Sequence, residues 1–299
     1  MTKAGGEASP AADLDPVQTM LDTLTLTDTG ARTREDIFTA PTQWVPQGRV
    51  FGGQVLAQSV LASTRTVAEG RDIHSLHGYF LRPGALGKPI TYSVDRIHDG
   101  RSFSTRRTQA YQDGVPIFSM IASFQDAAPG LDHQEPFPAD IPDPESLPTM
   151  EDHLGHLPRH MTAFFLERAF DMRHVQEPIY LEVGERIAHQ AVWMRVKRRI
   201  PDDPALHRAA FAYASDYTLL EAVMRRHGVP WATPDLKIAS LDHAMWWHRP
   251  GRVDEWFLYV QESPNATGGR GLGFGRIYSR DGVLIATTAQ EGMIRIPQG

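Results

Sequence analysis

One stretch of the chain is apolar on nearly every side at helical spacing, a second carries a row of residues at helical spacing, and each is followed by runs in which apolar and polar residues alternate. In the first, FGGQVLAQSVLAST over 51–64 places Val55, Leu56, Ala57, Val60, Leu61 and Ala62 around a helix with almost no polar face. That pattern predicts a helix buried on most of its sides. HSLHGYFLRPG (74–84) follows, then PITYSVDRIHDG with Ile90, Tyr92 and Val94 alternating, then RSFSTRRTQAYQDG and VPIFSMIASFQ. These read as antiparallel strands, the last two joined at Asp113-Gly114, a dipeptide suited to a tight hairpin turn. The programme then repeats: SDYTLLEAVMRRHG (215–228), with Leu220, Val223, Met224 and His227 at helical spacing, precedes IASLDHAMWWHRPG, EWFLYVQES, GLGFGRIYSRDG and VLIATTAQEGMIRI.

Arg82-Pro83-Gly84 recurs as Arg249-Pro250-Gly251, 167 residues further on, and Asp113-Gly114 recurs as Asp281-Gly282, 168 residues further on. Two independent landmarks agree to within one residue, which indicates a duplication. Each half is expected to be a long helix wrapped by a curved antiparallel sheet, the α+β module called a hotdog, and the tandem pair to form a double hotdog with one extended sheet. Between Pro129 and Pro158 lie seven of the 22 prolines, interleaved with Asp132, Glu135, Asp140, Asp143, Glu145, Glu151 and Asp152. Such a stretch suits neither a helix interior nor a central strand. The expected organisation is a mobile tail over 1–16, an N-terminal hotdog over 17–128, an acidic proline-rich linker over 129–165 and a C-terminal hotdog over 166–299.

The 299 residues are 41% hydrophobic and 22% charged, the balance of a folded globular chain. A net charge of −6 leaves no global cationic field to hold nucleic acid or an anionic membrane. Zero cysteines exclude disulfides, thiolate metal sites and a cysteine nucleophile, and leave 13 histidines as the nitrogen ligands for any metal. No signal-like h-region and no run long enough to span a bilayer is present, and the final residues lack a peroxisomal tripeptide, so a cytoplasmic protein is expected.

Serine chemistry on an α/β-hydrolase scaffold needs a G-x-S-x-G elbow, and none occurs. GGRGLGFG (268–275) has neither dinucleotide nor P-loop spacing and leads into a strand, which suggests a flexible or bulged strand start. His153, His156 and His160 are interrupted by Pro158, and the odd spacing of His243 and His248 points them to opposite faces of a strand. No metal and no cofactor is therefore expected.

What remains is a set of polar residues at positions where apolar ones would fit. Asp216 is expected to open the second buried helix, where it could be a cap or first-turn carboxylate, or a general base. Ser240 begins the next strand and by itself would pass for a packing residue. Gln290 shares a core-facing row with Leu284, Ala286, Thr288 and Gly292, so its amide must find partners or cost free energy. The first copy serves as a control: Ala122 stands at the position matching Gln290, and no carboxylate opens FGGQVLAQ. Ser240 matches Ile73 or, with a short slip, Ser75, which leaves that position ambiguous.

The FGGQ-initiated helix, HSLHGYFLRPG, IASLDHAMWWHRPG and DGVLIATTAQEG together resemble the acyl-CoA thioesterase II family over about residues 20–296. That resemblance implies a double hotdog that hydrolyses medium- to long-chain fatty acyl-CoA to fatty acid and CoA, and that assembles as a homodimer or homotetramer. It implies a catalytic Asp, Thr and Gln around a water, carried here by Asp216 in ASDYTLL, Ser240 in IASLDH and Gln290 in TAQEG. Ser240 departs from the family's Thr, keeping the hydroxyl without the stiffening β-branch. The family mechanism would be direct attack by a water that Asp216 deprotonates, with the N-terminal N–H groups of a buried helix facing the developing oxyanion. Two alternatives stand beside it. A hotdog enoyl-CoA hydratase would need a His five residues after the Asp, where this chain has Glu221. A non-catalytic acyl-CoA sensor or carrier would bind without releasing thiol.

Overall fold

The computed structural model describes residues 15–31, 34–46 and 48–296, leaving aside the side chains of His160 and Phe164; the expected tail therefore lies, over 1–14, outside the described residues. The first half comprises α1 (Pro16–Thr23), β1 (Thr27–Asp28), β2 (Asp36–Ala40), α2 (Gly52–Thr64), β3 (Arg71–Phe80), β4 (Ile90–Asp99), β5 (Phe103–Gln112) and β6 (Val115–Asp126). After a connecting segment with α3 (Met150–Leu154) and α4 (Arg159–Leu166), the second half follows. It consists of β7 (Phe170–His174), β8 (His189–Val196), α5 (Pro204–Ser215), α6 (Glu221–His227), β9 (Lys237–Ser240), β10 (Asp242–Trp247), β11 (Phe257–Thr267), β12 (Arg270–Ser279) and β13 (Leu284–Arg295).

All pairings are antiparallel, in the order β1-β2-β4-β5-β6-β3-β10-β13-β12-β11-β8-β7, with β9 also on β13. The halves join edge to edge where β3 meets β10, from Asp242 opposite Tyr79 to Trp246 opposite Ser75. One continuous sheet thus wraps both long helices, and the chain is a double hotdog. The helices are buried on nearly every side: Leu56, Ala57, Val60 and Ala62 on α2 and Ala209, Ala210, Ala212 and Ala214 on α5 are wholly enclosed, as the all-round apolar pattern of 51–64 predicts for α2, whereas α5 was not among the expected helices. The helices run antiparallel: Gly53 at the start of α2 lies against the Tyr213 carbonyl near the end of α5, while Thr64 and Arg65 share a cleft with Ala205 and Leu206 at the other end.

One expectation is corrected. The second buried helix does not start at 215 with Asp216 opening it; α5 starts at Pro204, behind an Asp203 cap whose side chain accepts from the Ala205 N–H at 2.9 Å. Helix geometry then stops at Ser215 and resumes at Glu221, so Asp216 stands at the C-terminal end of α5. Side chains from the sheet intercept the backbone here. Tyr259 Oη donates to the Ser215 carbonyl at 3.1 Å, and Gln190 Nε2 to the Thr218 carbonyl at 3.3 Å. The Thr218 carbonyl also accepts the Glu221 N–H at 2.9 Å, in a tighter turn that leads into α6.

The glycine run becomes explicable against this break. Gly268 and Gly269, both at positive φ, form the turn between β11 and β12, and beyond them alternate glycines face the helix. A Cβ at Gly271, Gly273 or Gly292 would lie 2.5 Å from Val223, 2.7 Å from the Leu219 carbonyl and 2.2 Å from Leu220. The missing side chains let the Leu219–Val223 segment rest on the sheet itself.

The connecting segment crosses the outer face of the second half as a strap. Phe137 packs edge-on against Tyr278, Trp193 Nε1 donates to the Pro142 carbonyl at 2.9 Å, and Arg280 pairs with both Asp143 and Glu145. Asp132 and Glu135 of the strap pair likewise with Arg249 and Arg276. Its C-terminal end is helical where the sequence suggested none: Thr149 and Asp152 form a reciprocal capping box that starts α3, and Pro158 stands before α4.

Candidate active site

Asp216, Ser240 and Gln290 arrive from three different elements and meet. Ser240 Oγ donates to Asp216 Oδ1 at 2.9 Å, and Gln290 Nε2 donates to the same oxygen at 2.6 Å. The strand geometry behind this is particular. The β9–β10 path bends at Leu241, whose N–H takes the Glu291 carbonyl while its own carbonyl accepts from Phe80 N–H. Ser240 consequently pairs opposite Gly292 on β13, one step along the same face from Gln290. Serine in place of threonine therefore costs no contact to the carboxylate.

The first half supplies the remaining wall. The α2 N-terminus has no side-chain cap of its own. Asp216 Oδ2 lies so close that a Cβ on Gly52 would sit 2.7 Å from it, and a Cβ on Gly53 would sit 2.4 Å from the Tyr213 carbonyl. Two consecutive glycines thus let the free N–H end of α2 reach the carboxylate of the other half, where the helix dipole favours negative charge. The helix start that faces the Asp216 carboxylate is thus that of α2, in the first copy. Phe51, just before α2, stacks on Tyr217 with ring centroids 4.9 Å apart and locks the two segments together.

Burial pushes the Asp216 carboxyl up from 3.8 to about 6, against the opposing pull of the Gln290, Ser240 and Gly53 hydrogen bonds and of Arg49. Gln290 is enclosed, and its Oε1 has no protein partner. That amide consequently offers a buried acceptor beside the carboxylate. A cavity of about 480 Å³ opens in front of Asp216 and Ser240, walled by Phe80, Leu81, Leu220 and Trp231 and carrying Arg49 and Arg82. Mostly apolar walls with a few converging polar groups are what a substrate site of this size requires.

Other singled-out residues do not join. His243 is buried, its ring Nε2 3.0 Å from Ser215 Oγ, and burial drives its pKa down to about 3. It braces the turn before Asp216 as a neutral ring. His248 lies beyond the end of β10 and meets Thr287 Oγ1 at 2.8 Å. Among the described residues no cluster of histidines and carboxylates is arranged to hold a metal ion. Glycines 52 and 53, Arg49 and Trp231 escaped the sequence reading, although the Gly-Gly pair at the head of a buried helix was a visible signal of close backbone approach.

The profile of the acyl-CoA thioesterase family matches residues 161–293, and that of the acyl-CoA thioesterase N-terminal domain matches 40–125. Human acyl-coenzyme A thioesterase 8 is 38% identical over 275 residues, covering 88% of this chain and 85% of the human protein. The chain belongs to the acyl-CoA thioesterase family. It is accordingly a hydrolase of acyl-CoA thioesters. Acyl-CoA thioesterase 2 of Haemophilus influenzae is 36% identical, covering 88% of this chain and 93% of that protein. Among solved structures, acyl-CoA thioesterase II TesB2 of Mycobacterium marinum superposes with a TM-score of 0.76 at 39% identity, covering 95% of this thioesterase and 99% of that chain.

Proposed function

We propose that this thioesterase hydrolyses medium- to long-chain fatty acyl-CoA by direct attack of water, with Asp216 as general base and Ser240 and Gln290 as the groups that orient it. The observation that carries the reading is the convergence of two donors on one oxygen of a buried, cavity-facing carboxylate. Pinned through Oδ1, the carboxylate keeps a fixed direction, and the unpartnered Gln290 Oε1 supplies an acceptor that suits a water held next to it. Asp216 takes the water proton as the oxygen attacks the thioester carbon. The C–O bond forms, the carbonyl becomes an oxyanion that the α2 N-terminus favours, and collapse breaks the C–S bond. CoA leaves as thiolate and is reprotonated, returning Asp216 to its base form.

Arg49 and Arg82 are the cations on the cavity wall, and we assign to them the phosphates of CoA. A chain without cysteine is consistent with the cytoplasmic setting we propose. Among the described residues no helix is long and apolar enough to cross a membrane. Tyr79 and Ile121, exposed on the outer face of the central strands, support assembly of copies into a dimer or tetramer. Thiol release from a panel of acyl-CoA thioesters tests the proposal. Asp216→Asn should lose at least about a hundredfold in kcat/KM; wild-type rates in that variant would refute the assignment, and binding without thiol release in the wild type would favour a carrier.

A further inference from the structure

Glu221 is a buried carboxylate, 1% exposed, that lines the same cavity as Asp216 and that hydrolysis does not use. Tyr217, Leu220 and Glu221 follow Asp216 at positions i, i+3 and i+4 and form one face of the cavity wall. On the next turn that face is closed. Met224 packs against Ile179 and Val229, and Arg225 donates to the Glu177 carbonyl at 2.7 Å. The cavity wall is exposed at Leu81 and Arg82, buried at Tyr217, Leu220 and Glu221, and half-buried at Trp231.

The buried wall is polar at Glu221. Trp231 Nε1 donates to Glu221 Oε1 at 2.8 Å and Gln190 Nε2 to Oε2 at 3.1 Å. A carboxyl group has room for further donors beyond those two. An apolar chain end pressed against it removes its remaining solvation and offers nothing in return, whereas a hydroxyl group offers a hydrogen bond. Five residues of helix-like backbone separate Asp216 from Glu221, about 8–10 Å, roughly the reach of a chain of six to eight carbons.

We propose that Glu221 is a specificity-determining residue: it bounds the space for the acyl chain, narrows the medium- to long-chain range above toward straight apolar chains that end at that depth, and favours an acyl chain that carries a hydroxyl group there. The inference rests on the hydrolase reading above. The test is kcat/KM for straight-chain acyl-CoA from butyryl to palmitoyl and for the ω-hydroxy analogues, each expressed relative to butyryl-CoA. In Glu221→Leu the relative value for the first chain beyond the wild-type optimum should rise about tenfold, and the preference for the ω-hydroxy analogue should vanish. Trp231→Phe removes a donor from Glu221 while leaving the carboxyl in place, so its preference for the hydroxylated chain should increase several-fold. Unchanged length and hydroxyl profiles in folded Glu221→Leu, with hydrolysis intact, would overturn this inference alone. If Glu221→Leu does not fold, an unchanged hydroxyl preference in Trp231→Phe overturns it instead. No thiol release from any member of the panel by the wild type would overturn the hydrolase reading and this one together.

Discussion

The raised pKa of Asp216 makes Gln290 testable in a way that a simple loss of activity does not. A base that titrates at about 6 is roughly one-eleventh ionised at pH 5 and ten-elevenths at pH 7, so kcat/KM should climb about tenfold across that interval. An ordinary carboxylate at 3.8 would already be ionised throughout, and the rate would be nearly flat. Gln290 donates to the ionised oxygen at 2.6 Å and so holds the pKa down against burial. A hydrogen bond to a charged group contributes about 1.5–3 kcal/mol, or one to two pKa units; water entering the vacated space restores part of it, leaving about one unit. Gln290→Ala should therefore titrate near 7, losing about fivefold at pH 6 through ionisation alone and almost nothing by that route at pH 8. Whatever loss persists at pH 8 measures the orientation of the water.

The substrate needs control, because a phosphate monoester on CoA titrates near the same pH. An acyl-pantetheine thioester carries no phosphate, and its hydrolysis should show the same acid limb. A flat wild-type profile between pH 5 and 7 on that substrate, or a Gln290→Ala profile with an unmoved midpoint, would refute the electrostatic reasoning.

Three further outcomes follow from the same geometry. Because the fold favours the protonated form of Asp216, that contribution is present below about pH 4 and lost as pH rises through about 6; Asp216→Asn, which cannot ionise, should thus be more stable than wild type by about 1–3 kcal/mol at pH 7 and by nearly nothing at pH 4, read by thermal or urea unfolding. Gly52→Ala would place a methyl group 2.7 Å from Asp216 Oδ2, so kcat should fall by at least about tenfold while the melting temperature moves by only a few degrees. Arg82→Ala should raise KM for acyl-CoA several-fold, with an effect that shrinks in high salt and is absent for acyl-pantetheine.

The fold was legible because its signals are local and repeated: one all-round apolar helix, alternating strands, Asp-Gly turns and the matched Arg-Pro-Gly landmarks need no knowledge of which strand pairs with which, although α5 itself went unread. The boundary of the second helix was not. From local pattern, SDYTLLEAVMRRHG looks like one helix beginning at a cap, and Asp216 like the residue that caps it. Where the helix ends, Tyr259 on β11 and Gln190 on β8, 43 and 26 positions from Asp216 in sequence, donate to the Ser215 and Thr218 carbonyls. The same distance hid the partner of the carboxylate. Asp216 lies against the first turn of a helix more than 150 residues earlier, and only the antiparallel packing of α2 on α5 brings them together. Two copies of one module explain both why a site forms and why it forms once. At one end of the helix pair, α2 presents bare N–H groups to a carboxylate that follows α5. At the other, Asp203 caps α5, and α2 is followed by Arg65. A cation at that end does not complement the donor-rich start of α5 and cannot act as a proton acceptor. The duplication kept both helices as core, while the carboxylate proposed as general base follows only one of them.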